Sequence, residues 1–167
     1  LSNSNVSVVA EVGSVLDNGD HYREVVAEGL RMSAGVGIGV LDDTENALET
    51  SVNVLNARAI TQGVNISDDG DVLAQDVAVT VNRVKTDGTV NSVFEPGFPG
   101  NPISGGSGHI LLSFGGNFVL DSALNSGIGN ISLLIGGDLT LKEDGDLITQ
   151  GGTLDIDVGG DLTMDDG

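Results

Sequence analysis

The side chains available for chemistry in this chain are carboxylates. Its 167 residues hold 25 Asp and Glu against six Lys and Arg, a formal net charge of −19, with two histidines and no cysteine. Without cysteine there are no disulfides, thiol nucleophiles or thiolate metal sites. Carboxylates by themselves support two kinds of site: a hard cation such as Ca²⁺, which takes about six to eight oxygen ligands, or an acid–base pair acting on a glycosidic bond. For the cation, Asn117, Asp138 and Asp161 each stand directly after a Gly-Gly pair. If that position recurs from layer to layer of a stack, neighbouring carboxylates come within about 5 Å, and a bound ion would relieve the repulsion. Acidic turns such as Asp68-Asp69-Gly70-Asp71 and Glu143-Asp144-Gly145-Asp146 could add oxygens, so the candidate calcium ligands are Asp138, Asp161, Asp144 and Asp146. The competing reading makes these residues turn formers that bond their own backbone. Neither the nonapeptide calcium repeat nor a complete EF-hand loop is present.

For catalysis, Asp155 and Asp157 are expected to point outward one strand pitch apart, with Arg83 and Lys85 in another coil. A groove holding an Arg or Lys beside two carboxylates would indicate a polysaccharide lyase or hydrolase, whereas scattered acids would not. So many acidic residues produce such pairs by chance, and the expectation is no catalytic site. His109 aligns with Asn130 and Thr153 in sister repeats, an outward or corner position, and His21 lies far from it. Gly35-Val36-Gly37-Ile38-Gly39 misses the dinucleotide fingerprint because Val40 breaks it, and reads as a flexible corner. Asn5-Val6-Ser7, Asn65-Ile66-Ser67 and Asn130-Ile131-Ser132 match the glycosylation pattern incidentally. The basic residues are scattered, so nucleic-acid binding is not expected. No apolar run approaches the roughly 18 to 20 residues that insert into a bilayer.

The elements that position these residues come from a repeat. Runs starting at Gly108, Gly129 and Gly152 align, at a spacing of roughly 20 residues. In each, apolar residues alternate (Ile110, Leu112, Phe114; Ile131, Leu133, Ile135; Leu154, Ile156, Val158), then comes Gly-Gly, then a shorter alternation (Phe118, Leu120; Leu139, Leu141; Leu162, Met164). Period two describes strands with one buried face. The glycine pair reads as a corner where the chain turns at φ values other residues avoid. Short strands around glycine corners make one coil of a solenoid, each strand pairing in parallel with its equivalents above and below. The expected fold is therefore all-β: a parallel β-helix with coils of roughly 20 residues and columns such as Phe114–Ile135–Val158 and Phe118–Leu139–Leu162. A charge placed in such a column would cost several kcal/mol.

Upstream, Val6-Ser7-Val8-Val9, the run 29–34, the run 63–67 and Val77-Ala78-Val79-Thr80-Val81 read as further strands, separated by turns at Asp17-Asn18-Gly19, Asp68-Asp69-Gly70 and Asp87-Gly88. Between Thr44 and Ile60, Leu48, Val52, Leu55 and Ala59 recur at helical spacing, with Asp43 or Thr44 as N-cap. Val52-Asn53-Val54 also alternates, which favours a strand. The segment 94–107 holds all three prolines and reads as a loop extruded from the solenoid. The chain is thus one continuous domain: irregular coils over 1–93, the loop over 94–107 and regular repeats over 108–167. It starts without a leader and stops mid-pattern, so it reads as a segment of a longer parent.

The run Gly129 to Leu141 and its echoes, with Leu30 to Gly39, Ala47 to Val52 and Gly63 to Ser67, resemble the repeats of filamentous-haemagglutinin-like adhesins and related giant bacterial β-strand-repeat exoproteins. The resemblance spans residues 29–93 and 108–167. It implies a right-handed parallel β-helix in a secreted or surface-anchored protein, acting as an adhesive shaft without catalysis or a required cofactor. The expected partners are neighbouring coils of the parent, end-to-end copies through an open strand edge after Met164, and a cell-surface or matrix carbohydrate or protein ligand. No receptor-binding residue carries over.

Overall fold

The structure, a computed structural model, describes residues 4–41 and 46–165. Among the described residues there is no α-helix, and parallel strands stack into a β-solenoid of about six turns. β1 (Asn5–Ala10), β2 (Val25–Ala34) and β4 (Leu48–Ala59) lie side by side, Val6 beside Leu30 beside Leu55. A short β3 (Gly37–Ile38) continues the second coil. From β4 onward the coil has three faces. The first stacks β5 (Gly63–Asp68), β10 (Ile110–Phe114), β13 (Ile131–Ile135) and β16 (Leu154–Val158). The second stacks β6 (Val72–Ala74), β11 (Phe118–Leu120), β14 (Leu139–Leu141) and β17 (Leu162–Met164). The third stacks β9 (Ile103–Ser104), β12 (Leu124–Asn125) and β15 (Leu147–Ile148). β4 meets all three faces, pairing in turn with β5, β6 and β9.

The aliphatic columns run in the expected register. Phe114 sits beside Ile135 and Ile135 beside Val158, while Phe118, Leu139 and Leu162 form the second column. The alternation puts Ile110, Leu112 and Phe114 inside together with Ile131, Leu133 and Ile135. The rings of Phe114 and Phe118 meet edge to face across the corner, centroids 5.0 Å apart. Truncating one of these buried residues to Ala would cost about 2–5 kcal/mol.

Several expectations change, and one alternative left open is closed. The turns average about 24 residues rather than roughly 20. The last coils repeat after 21 and 23 residues, whereas earlier spacings vary: Val6 to Leu30 to Leu55 takes 24 and 25 residues, Leu48 to Ile66 takes 18, and Val64 to Ile110 takes 46 because the hairpin lies between them. The helical alternative for 44–60 is replaced by strand β4, which agrees with the alternation at Val52; Asp43 and Thr44 lie outside the described residues. The helix-like spacing has a structural cause. Leu48, Thr50 and Val52 point inward, Asn53 is exposed at the bend, and inward alternation resumes at Leu55, Ala57 and Ala59.

Val77–Val81 does not supply a coil strand. β7 (Val79–Val84) pairs antiparallel with β8 (Val90–Glu95) in a separate hairpin carrying Arg83. The excursion therefore leaves after β6, earlier than the proline-rich segment, and ends sooner, because Ile103 and Ser104 already form coil strand β9.

The glycine pairs also serve differently from expected. Positive φ occurs at other glycines, such as Gly106 and Gly127 in equivalent corners (65° and 60°). At Gly136 and Gly137 the requirement is closeness: an added Cβ would lie 2.5 Å from the Gly115 carbonyl oxygen and 2.3 Å from Asn117 Oδ1. Gly35 is likewise packed rather than flexible, its Cβ position only 2.4 Å from the Glu11 carbonyl oxygen.

Candidate functional site

The residues singled out as calcium ligands lie in two places. Asp138 and Asp161 belong to a ladder along one corner. Asp71 Oδ1 accepts from Asn117 N (2.7 Å), Asn117 Oδ1 from Asp138 N (2.8 Å), and Asp138 Oδ1 from Asp161 N (2.9 Å). Each side chain holds the backbone of the next coil, which is a turn-forming role extended between layers. Asp144 and Asp146 lie beyond the other end of β14, in the turn where Gly145 N donates to the Lys142 carbonyl (2.7 Å). A second ladder uses His109, whose Nδ1 accepts from Asn130 N (2.9 Å), and Asn130, whose Oδ1 accepts from Thr153 N (2.8 Å). This is the corner position expected for His109. Asn65 is buried and donates to the Val40 carbonyl (2.6 Å). Asp155 and Asp157 are exposed, as expected.

One core column contains a carboxylate. Asp68 stacks between Thr50 and Phe114, 4% exposed. Burial pushes its pKa up, opposed by donors from three directions: Gly70 N (2.9 Å), the Thr50 hydroxyl (2.8 Å) and Val52 N (2.9 Å). All three groups donate, which suits the ionised form. The sequence did not mark this residue as core, because Asp-Asp-Gly reads as a surface turn.

Among the described residues, three carboxylates do converge, from Asp17, Glu24 and Glu49, with candidate ligand oxygens all within 4.8 Å of one another. Glu24 precedes β2 and Glu49 lies in β4, 25 residues later, one coil above. Glu24 N donates to the Glu49 carbonyl (3.0 Å), and Glu49 N to Glu24 Oε2 (2.9 Å). Asp17 reaches the pair from the turn after β1, where its Oδ2 accepts from Gly19 and Asp20 N–H. Burial raises the pKa of Glu49, and the charges of Asp17 and Glu24 add to the rise. Burial raises that of Glu24 also, with Asp17 and Asp20 adding to it against the backbone donors. For Asp17 burial pulls upward, but hydrogen bonds from Gly19, Asn18, Asp20 and Glu24 outweigh it and leave it lowered. Asp17 thus holds its proton less tightly than usual and the two glutamates hold theirs more tightly. Asp17 Oδ1 and Glu49 Oε2 are buried without a hydrogen-bond partner. Such a group can share a proton or offer oxygens to a hard cation.

The cluster borders a groove of about 460 Å³ lined by His21, Tyr22, Arg23, Glu49 and Asp69. Tyr22 is 80% exposed there, His21 Nδ1 lies 3.8 Å from Glu49 Oε1, and Arg23 pairs with Asp69. An arginine therefore does stand beside two carboxylates in a groove, the pattern named above for a carbohydrate-active enzyme. Sequence reasoning missed Asp17, Glu24 and Glu49. The usable signal was the one-coil spacing of the glutamates, hidden because the early coils are irregular.

Parallel coils with aliphatic columns and polar corner ladders define a β-solenoid repeat protein. Compared with protein families, curated proteins and solved structures, the chain matches none.

Proposed function

We propose that the chain is a rigid segment of a large secreted or cell-surface bacterial repeat protein, serving as a shaft and interaction surface without catalysis. What carries the reading is the uninterrupted stack. Columns run in register from β4 to β17, and side-chain ladders tie one coil to the next along two corners. Such a stack is stiff along its axis because each coil contacts only its neighbours and every rung is hydrogen-bonded. The partners of this reading are further coils, or a second copy, on the β16–β17 edge, where Leu154, Leu162 and Met164 are 44%, 46% and 62% exposed, together with a surface glycan or protein. The test is labelling of the source organism with antibodies against this segment. Staining of intact cells, lost after protease shaving, is expected; staining only after lysis would sink the reading.

The groove at Arg23, Glu49 and Asp69 favours a second reading, a carbohydrate-active solenoid. It predicts release of reducing ends from a polysaccharide panel, abolished by Glu49→Gln. The shaft reading predicts none.

A further inference from the structure

The hairpin that leaves the solenoid after β6 is a sheet of two strands, and among the described residues neither of its outer edges is paired. Two strands alone are marginally stable in water, and further strands are what completes them. The two edges differ. β7 lies along β1, across a cleft lined by Ser7, Val9, Glu11, Val81 and Arg83. β8 is exposed at Val90, Asn91, Ser92 and Phe94. From Val90 to Phe94 it carries no charge, no proline and no glycine, in a chain of net charge −19. Exposed edges are ordinarily blunted by charge or proline, and this stretch has neither.

Backbone parity fixes what the edge offers. Lys85 N donates to the Thr89 carbonyl (2.8 Å), and hydrogen-bonded pairs alternate along an antiparallel ladder. The bonded pairs of the hairpin are therefore Arg83–Asn91, Val81–Val93 and Val79–Glu95. The N–H and C=O groups of Val90, Ser92 and Phe94 point away from β7, towards solvent. Their side chains share one face with Val84, Asn82 and Thr80, which stand opposite them. On that face Val84, Val90 and Phe94 are 75%, 59% and 65% exposed. The other face is covered at Val79, Val81, Val93 and Glu95, and Arg31 and Arg83 hold Glu95. The edge is thereby fixed on the body of the chain before any partner arrives.

We propose that β8 pairs antiparallel with β8 of a second copy, about a two-fold axis at Ser92. In that register Ser92 meets Ser92 of the second copy and Val90 meets Phe94. All three outward-pointing residues then fall in hydrogen-bonded pairs, so each copy donates three N–H groups and accepts three. Registers displaced by two residues keep only two of these pairs. Phe94 would meet the turn at Gly88, or Val90 would meet Pro96, which has no N–H. The four-stranded sheet sets each Phe94 ring beside a Val90 side chain, an aromatic–β-branched pair that stabilises sheets, with the small serines at the axis. The contact itself is uncharged, so it joins two acidic chains where their repulsion is least. One strand edge buries less than the roughly 1,200 Å² of a stable interface, and the dimer is a transient one, half formed at about 0.1–1 mM. This goes beyond the shaft reading and does not depend on it, because the copies join through the hairpin rather than through the coil ends.

The test is sedimentation equilibrium of the chain in a Leu162→Lys background, chosen to suppress association through the β16–β17 edge. A monomer–dimer equilibrium is expected between tens of micromolar and about 1 mM. Val90→Lys should weaken it about tenfold or more by setting a charge on the edge. Ser92→Pro should abolish it with little change in the thermal melt, because Ser92 N bonds nothing within the hairpin. The chain has no cysteine, so Ser92→Cys and Asn82→Cys each introduce a sole thiol. Oxidation should link Ser92→Cys into disulfide dimers about tenfold faster than Asn82→Cys. Across the axis the Cα atoms at position 92 lie about 5.5 Å apart, whereas those at position 82 are three strand spacings apart, about 14 Å. No dimer up to that concentration, growth beyond a dimer, equal cross-linking of the two thiol variants, or a dimer unchanged by both Val90→Lys and Ser92→Pro would each overturn the proposal.

Discussion

Glu49 and Glu24 set the pH response of the Asp17 corner. Both have raised pKa values in the folded chain, so folding favours their protonated forms. The stability they contribute is complete below the ordinary glutamate value of ~4.3 and is lost as pH rises through the higher folded value. Glu49→Gln should therefore raise the melting temperature at pH 7 and leave it nearly unchanged near pH 4. Thermal melts at the two pH values decide this, and an equal shift at both would contradict it. The same variant separates the acidic cluster found in the structure from the ladder where calcium was expected. If the corner holds the ion, millimolar Ca²⁺ raises the melt of the parent chain and of Asp138→Asn but not of Glu49→Gln. If the ion sits at the ladder, the two variants exchange behaviour.

At the scale of elements, the corner ladder couples each glycine to the Asn or Asp of the coil below. Asn117→Ala removes the acceptor for Asp138 N and should cost ~1 kcal/mol. Gly137→Ala would drive a Cβ to 2.3 Å from Asn117 Oδ1 and should cost ~1–3 kcal/mol by overpacking. Because the clash is partly with that side chain, the double variant should be less destabilised than the sum of the two. Strict additivity in denaturant titrations would mean that the backbone contact alone excludes a side chain. The hairpin is attached by Arg31, whose side chain is 8% exposed and bonds the Pro96 carbonyl and Ser7 Oγ beside Glu95. Arg31→Met keeps the stem and removes these bonds, so a loss of ~2 kcal/mol or more is expected in the same titrations, together with proteolytic cutting in residues 75–102.

For the whole molecule, stability is a sum over neighbouring coils. Inner strands have partners on both sides, whereas β1, β16 and β17 have one each. Hydrogen exchange should be slowest in β5, β10 and β13 and fastest in β16 and β17, where Leu162 and Met164 are exposed. Uniform protection along the stack would refute the coil-by-coil picture. The same edge should make the chain associate with increasing concentration in sedimentation velocity, and Leu162→Lys should suppress it.

The regular coils were legible in the sequence because inward alternation and glycine corners recur there at near-constant spacing, and in a parallel stack equal spacing means direct contact. That regularity placed Phe114, Ile135 and Val158 in one column, and it marked Asp138 and Asp161 as equivalent. Tertiary structure alone decided the remainder. The bend at Asn53 gives strand β4 an apolar spacing that mimics a helix. The hairpin returns across β2 and β4, which brings Pro96 to Arg31. The irregular early coils bring Asp17, Glu24 and Glu49 together and place Asp68 in the core. Each of these contacts joins residues from different coils, so its existence depends on how many residues every intervening turn consumes. Local pattern specifies which way a side chain faces; register between layers specifies what it meets.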